Sequence, residues 1–276
     1  MKMFNKVVIV GTGLIGGSLG FALKKQTLAA QVIGLSRHRE NARLAKKNGS
    51  IDSIGSSLEV VADADLVILA TPVDTIINLG SKIAQKIKKD CIVIDVGSTK
   101  ERIVSKLSPL IPNFVGCHPL AGSEKKGVAN SRESIFEGSV CIITPAVRTA
   151  ADVLNKVKLF WEILGSRIVI LSAKKHDQVL SLTSHLPHLV AFSLISSIPN
   201  RCLGLSSNGL RDTTRISSSD AAIWSEVFLS NRSNLLSALL IFQSKLTALK
   251  LALKSKNKKQ LIKILLKAKK KREKLG

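Results

Sequence analysis

Several things are scarce in this chain of 276 residues, and each scarcity excludes something. Tyrosine is absent and all aromatics together make up 4%. The four cysteines, Cys91, Cys117, Cys141 and Cys202, form no C-x-x-C pair. The first three sit in or beside strand-like runs, where a thiol packs as a small apolar group. Reduced structural cysteines are expected, with neither a disulfide nor a zinc or other metal site. No run reaches the ~18 consecutive apolar residues of a membrane span. The apolar start Val7–Val10 is too short for a signal h-region. No membrane partner is therefore expected, and a cytoplasmic location is. There is no internal repeat and no low-complexity linker. With 45% hydrophobic residues the chain can bury the cores of one large or two medium domains.

Acids are also scarce, 19 against 42 Lys and Arg, for a net charge of +23. The excess is concentrated at Lys254–Lys274, which holds eleven basic residues and one acid, Glu273. Leu261, Ile264, Leu265 and Ala268 recur there at helical spacing, which predicts a solvated amphipathic last helix. No aromatics interleave these lysines, so a base-stacking platform is unsupported and nucleic acid is not the expected partner.

The most informative stretch is Lys6–Gly20, KVVIVGTGLIGGSLG. A β-branched run stops at Gly11, glycines follow at G-x-G-x-x-G spacing (Gly11, Gly13, Gly16), and a helical segment begins at Leu14. Gly11 lets the chain turn out of the strand, Gly13 lets the backbone approach a pyrophosphate, and Gly16 lets the helix pack on the sheet. The free N–H groups at Leu14, Ile15 and beyond face the phosphate charge. A dinucleotide site is predicted.

Up to about residue 172 strands and helices alternate, the mark of a parallel sheet. Candidate strands are Lys6–Val10, Gln31–Leu35, Leu66–Ala70, Ile92–Val96, Phe114–Cys117, Val140–Thr144 and Arg167–Leu171. Candidate helices are Leu14–Lys24, Arg39–Asn48, Val73–Ile87 and Ala151–Leu164. Beyond Ala173 helical patterns dominate: His176–Ile198, with Pro187 as a kink, and Ala221–Leu253. The predicted architecture is an α/β Rossmann-type dinucleotide-binding domain over 1–172 and an all-helical substrate and dimerisation domain over 173–276. The ligand site belongs at the carboxyl ends of the strands, between the two domains. The apolar helices Ala221–Ile241 carry more hydrophobic surface than a small helical domain covers, so a homodimer is expected.

A dinucleotide fold that takes NAD usually has an acid at the end of its second strand, to bond the ribose 2′-hydroxyl. Here Val32–Leu35 is followed by Ser36-Arg37-His38-Arg39. Ser36 suits a 2′-phosphate and Arg37 and Arg39 neutralise it, so NADP is favoured over NAD. Thr71-Pro72 ends a strand and opens a helix, a loop suited to lie along the cofactor.

Further segments sit at strand ends or helix starts: ATPV (70–73), DVGSTK (95–100), HPLAGSEKKG (118–127), HDQ (176–178), SHLPH (184–188) and GLRDTTR (209–215), with Trp224 nine residues on. Together with the glycine motif these resemble the prephenate/arogenate dehydrogenase family of tyrosine biosynthesis, in order from about residue 6 to about 235. The resemblance implies NAD(P)-dependent oxidative decarboxylation of a cyclohexadienol carboxylate. It implies His118 as the catalytic histidine and Ser98 as the serine that bonds the reacting hydroxyl. It implies Arg215, and less directly Arg211, as carboxylate anchors. His188 resembles a position near the substrate side chain, linked to inhibition by tyrosine, Trp224 a pocket tryptophan, and His176 a position near the site, grouped with these as substrate-binding while a structural role is also open. The RDTTR form resembles arogenate-using members and the His188 of SHLPH prephenate-using ones; prephenate is the favoured substrate. A 3-hydroxyacid dehydrogenase, and a non-catalytic dinucleotide sensor or nucleic-acid binder using the basic tail, are the rivals.

Overall fold

The computed structural model describes residues 2–122 and 127–275. Ser123–Lys126 of HPLAGSEKKG lie outside the described residues. Strands β1 (Phe4–Val10), β2 (Ala29–Leu35), β3 (Ser53–Ile54), β4 (Leu66–Leu69), β5 (Ile92–Asp95), β6 (Phe114–Pro119), β7 (Val140–Pro145) and β8 (Arg167–Ile170) form one sheet among the described residues, in the order β3-β2-β1-β4-β5-β6-β7-β8. Helices α1 (Leu14–Lys25), α2 (Arg39–Lys47), α3 (Val73–Ile83), α4 (Glu101–Leu107) and α5 (Ala151–Ile163) connect them.

The central strands are apolar on both faces because both faces are covered. Val7 and Ile9 of β1 join one core with Leu19 and Leu23 of α1 and Phe160 and Trp161 of α5. Val8 and Val10 join the other with Ile76 of α3 and Ile103 and Leu107 of α4.

The expectation of a parallel sheet holds from β3 through β6 and fails at β7. That strand runs antiparallel to β6, with Cys117 opposite Ile143 and His118 opposite Ile142, while β8 is parallel to β7. Among the described residues the connection from β6 to β7 holds two short 3-10 turns and no long crossover helix, so the reversed direction is open to it. In the sheet domain, β3, of two residues, and α4, of seven, escaped the sequence pattern. Both are too short to show a period.

After β8 come α6 (Ala173–Leu180), α7 (Leu186–Ser196), α8 (Asn208–Thr214), α9 (Ala221–Ser230), α10 (Arg232–Lys254) and the basic α11 (Lys258–Arg272). Between α6 and α7, Ser181–His185 form a π turn. Pro187 follows directly, and the wider turn accommodates the ring and the missing N–H without breaking the helix. The predicted helix over Ala221–Leu253 is broken at Asn231. The stretches Ala173–Ser196 and Arg232–Lys254 are each long and apolar enough, by length and composition, to cross a membrane. The first carries the buried His176 and His185. The chain divides into two compact units, residues 1–231 and 232–276. In α11, Leu261 and Ile264 are half-buried, whereas Leu265 is exposed.

Candidate active site

The sheet order reverses between β1 and β4, and a cleft of about 450 Å³ opens at the carboxyl ends of these strands and β5. The glycine turn forms one wall. Gly11 has φ +103°, and a Cβ there would lie 2.4 Å from the Ala70 carbonyl oxygen. Its N–H donates to the Leu35 carbonyl at 2.7 Å, tying the turn to the end of β2. A Cβ on Gly16 would lie 1.9 Å from the Gly11 oxygen, whereas one on Gly13 would meet nothing within 4 Å. The turn is closed where it meets the sheet and open at Gly13, where it faces the cleft.

Gly13 caps α1 without a side-chain hydrogen bond, and the first turn carries no acid. These unsatisfied N–H groups, with the positive end of the helix, suit an anionic pyrophosphate. Gly13, Leu14, Ile15, Thr71 and Pro72, predicted from the sequence to hold the dinucleotide, all line the cleft. Ser131 was not anticipated; its Oγ donates to the Leu14 carbonyl at 3.1 Å and braces the turn from behind. Ser36 is half-buried just past β2, and Arg37 is exposed beside it. Neither lines the cleft, which reaches only to the glycine turn.

Opposite the turn, Ser98 and Gly97 from the β5–α4 loop and Trp224 and Val227 from α9 complete the wall. Trp224 stacks on His188, ring centroids 3.4 Å apart and planes at 19°. The His188 Nδ1–H donates to the Ser184 carbonyl at 2.9 Å, which leaves Nε2 as the ring's free lone pair. Burial lowers the His188 pKa, and the nearby Arg215 guanidinium lowers it further. Arg215 is exposed at the end of α8, near enough to act on His188; Arg211 is exposed on α8 itself.

His118 is half-buried on β6, beside the strand end that leads to Ser98. Its Nδ1 lies 2.8 Å from His176 Nε2, and His176 Nδ1 lies 2.7 Å from Asp177 Oδ1. Asp177 also accepts the backbone N–H of Lys100 at 2.8 Å and of Glu101 at 3.0 Å. Burial works against its charge, but the His176 bond and these amides hold its pKa below the ordinary value, so it is a carboxylate. Proton counting then fixes both rings. His176 donates from Nδ1 to Asp177 and accepts at Nε2; His118 donates from Nδ1 to His176, and the lone pair of the neutral His118 ring lies on Nε2.

Sequence reasoning placed His176 among substrate-binding residues, and the structure corrects this. It is fully buried and both of its ring nitrogens are occupied. Its one ring partner on the cleft side among the described residues is His118. Asp177 and Lys100 were not anticipated in this role, although HDQ and DVGSTK carry both. The His118 pKa is held well below 6.5, first by burial, then by the positive potential of His176, Lys100 and His185. A base with a depressed pKa is neutral above that pKa and lost only below it. The acid limb of kcat/KM is therefore expected below the ordinary imidazole value of 6.5. A pH profile checks this, and a limb at or above neutrality contradicts it.

The nucleotide-binding domain of prephenate dehydrogenase matches residues 19–170, and the dimerization domain of the same enzyme matches residues 172–267. The chain belongs to the prephenate dehydrogenase family. It is 35% identical to a prephenate dehydrogenase of Bacillus subtilis over 85% of its own length and 66% of that protein's, so it spans just under two thirds of that relative. It is 32% identical to a cyclohexadienyl dehydrogenase of Zymomonas mobilis, over 93% of this chain and 91% of the other. The structure superposes on prephenate dehydrogenase of Aquifex aeolicus, solved with hydroxyphenyl propionate and NAD+, with a TM-score of 0.93 and 33% identity, covering 99% of this chain and 98% of that one. The nucleotide-domain match begins at residue 19, past the glycine turn, so in this prephenate dehydrogenase family member the turn stands on its own geometry. A 3-hydroxyisobutyrate dehydrogenase of Mycobacterium tuberculosis, at 14% identity, shares the fold alone.

Proposed function

We propose that this chain oxidises prephenate to 4-hydroxyphenylpyruvate with loss of CO2, using a nicotinamide dinucleotide. The observation that carries the reading is the His118–His176–Asp177 chain beside a dinucleotide cleft. The chemistry supplied by the bound dinucleotide is acceptance of the hydride from the ring carbinol C4–H. His118 Nε2 takes the proton of the C4 hydroxyl, and its Nδ1–H stays on His176 Nε2. Ser98 bonds the same hydroxyl and orients it. Arg215, with Arg211 behind it, anchors carboxylate through its planar fork. The ring carboxyl leaves as CO2 because its bonding electrons restore the aromatic ring. His118 then returns its proton to the phenolate oxygen.

Arogenate is the second reading, and one observation favours it. Neutral His188 presents an acceptor at Nε2, which suits the side-chain ammonium of arogenate better than the keto group of prephenate. NADP is favoured over NAD because Ser36 and Arg37 follow β2 where an acid would select the ribose diol. The enzyme works as a homodimer through residues 173–276, supported by the exposed Leu229, Leu236, Leu240 and Ile241. It works in the cytoplasm, supported by four free thiols, three of them buried.

Initial rates of cofactor reduction with each substrate and each dinucleotide test these choices. Turnover with prephenate is expected. Arg37→Ala is expected to raise KM for NADP about tenfold and to leave KM for NAD within about twofold. Equal changes for both cofactors would remove the NADP assignment, and turnover with arogenate alone would replace the substrate.

A further inference from the structure

Behind the site lies an ion pair that the reaction as derived does not use. Asp95, the last residue of β5, and Lys100, at the start of α4, are both fully buried, and the Lys100 Nζ donates to Asp95 Oδ2. The same Oδ2 accepts the Gly97 N–H at 2.8 Å. A buried pair of this kind is costly to desolvate, and apolar residues of similar volume often serve stability as well or better. Its location suggests what the charges do. The side-chain bond closes the loop 96–99, which carries Ser98 into the cleft and Thr99, whose Oγ1 accepts the Ser230 hydroxyl at 3.0 Å. The backbone N–H of the same lysine holds Asp177, the anchor of the histidine chain. Asp95 also pairs across the sheet with Gly116, two residues before His118.

We propose that the Asp95–Lys100 pair is the positioning element of this active site: it closes the Ser98 loop, seats Asp177 behind His176, and fixes a cation behind the two imidazoles. Neither residue touches substrate, and both act through Ser98, Asp177 and the histidines. The proposal rests on His118 being the base. Among the described residues, the charged or titratable groups acting on His118 are His176 from α6, His185 from the π turn and Lys100; Asp177, Asp95 and Lys100 act on His176. Of these, Lys100 is the cationic member of the buried ion pair. Its field opposes a second positive charge on His118 and so favours the form that accepts the substrate proton.

Two variants test this. Lys100→Gln keeps an N–H donor to Asp95 and removes the charge; Asp95→Asn/Lys100→Met removes both charges. For each, kcat/KM with prephenate is measured across pH, and cofactor affinity is read from quenching of Trp224 fluorescence. The acid limb of kcat/KM is expected to move up by about one pH unit in both variants, with cofactor affinity within about twofold of wild type. A limb that stays in place while the rate falls equally at every pH would overturn the proposal, since the pair would then only pack the loop. Loss of cofactor binding in both variants would also overturn it, because the pair would then be a folding element. Turnover that survives His118→Asn would instead remove the base on which the proposal depends, whatever the Lys100 variants do.

Discussion

Replacing His118 by asparagine is expected to lower kcat with prephenate by about a thousandfold while cofactor affinity stays within about twofold. The side chain sits on a paired strand, with Cys117 and Pro119 buried on either side, so the fold does not depend on the ring. Asparagine can still donate toward His176, but it offers no basic lone pair to the substrate hydroxyl. The deficit should therefore lie in the proton-coupled hydride step. Single-turnover reduction of bound cofactor checks it. A loss confined to KM would mean that His118 binds substrate without acting as the base.

Asp177→Asn is expected to cost nearly as much, about a hundredfold to a thousandfold in kcat, although residue 177 lies two links from the substrate. The carboxylate accepts three hydrogen bonds, from His176 and from two amides. An asparagine has one acceptor oxygen and must turn its amino group toward one of these donors. Facing the ring, it forces the His176 proton to Nε2, which forces the His118 proton to Nε2 in turn. The His118 lone pair then lies on Nδ1, where it accepts the His176 proton, and none faces substrate. Facing the Glu101 amide, it loses a bond at the start of α4. Asp177→Glu restores the charge and serves as the partial rescue. Little change in kcat for the asparagine variant would show that the tautomers are not set from Asp177.

The sheet was legible because its central strands are short β-branched runs bounded by Gly, Pro or Asp, and because the glycine turn has steric requirements that one residue type meets. The reversed β7 was not legible. Strand direction depends on what the connection does in space, and Val140–Pro145 has the same apolar run whichever way it points. The π turn was hidden for a similar reason: Pro187 signals a disturbance, but not whether the helix bends or widens. The residues expected to hold cofactor that line the cleft are the ones backbone spacing alone places there. His118 and Ser98 came from motif resemblance, and the structure sets them at neighbouring strand ends. His176 was grouped with the substrate-binding residues because a histidine's contacts depend on what packs behind it. Lys100 and Asp95 went unread because a lysine in a charged motif looks solvent-facing until its burial is seen.

The central claim is that this chain oxidises prephenate with His118 Nε2 as the base. The most direct test is the initial rate of cofactor reduction with prephenate, for wild type and His118→Asn side by side, at a pH above 6.5. The account predicts turnover in the first and near-complete loss in the second, with cofactor still bound by both. Equal rates in the two proteins, or no turnover in wild type despite cofactor binding, would contradict it.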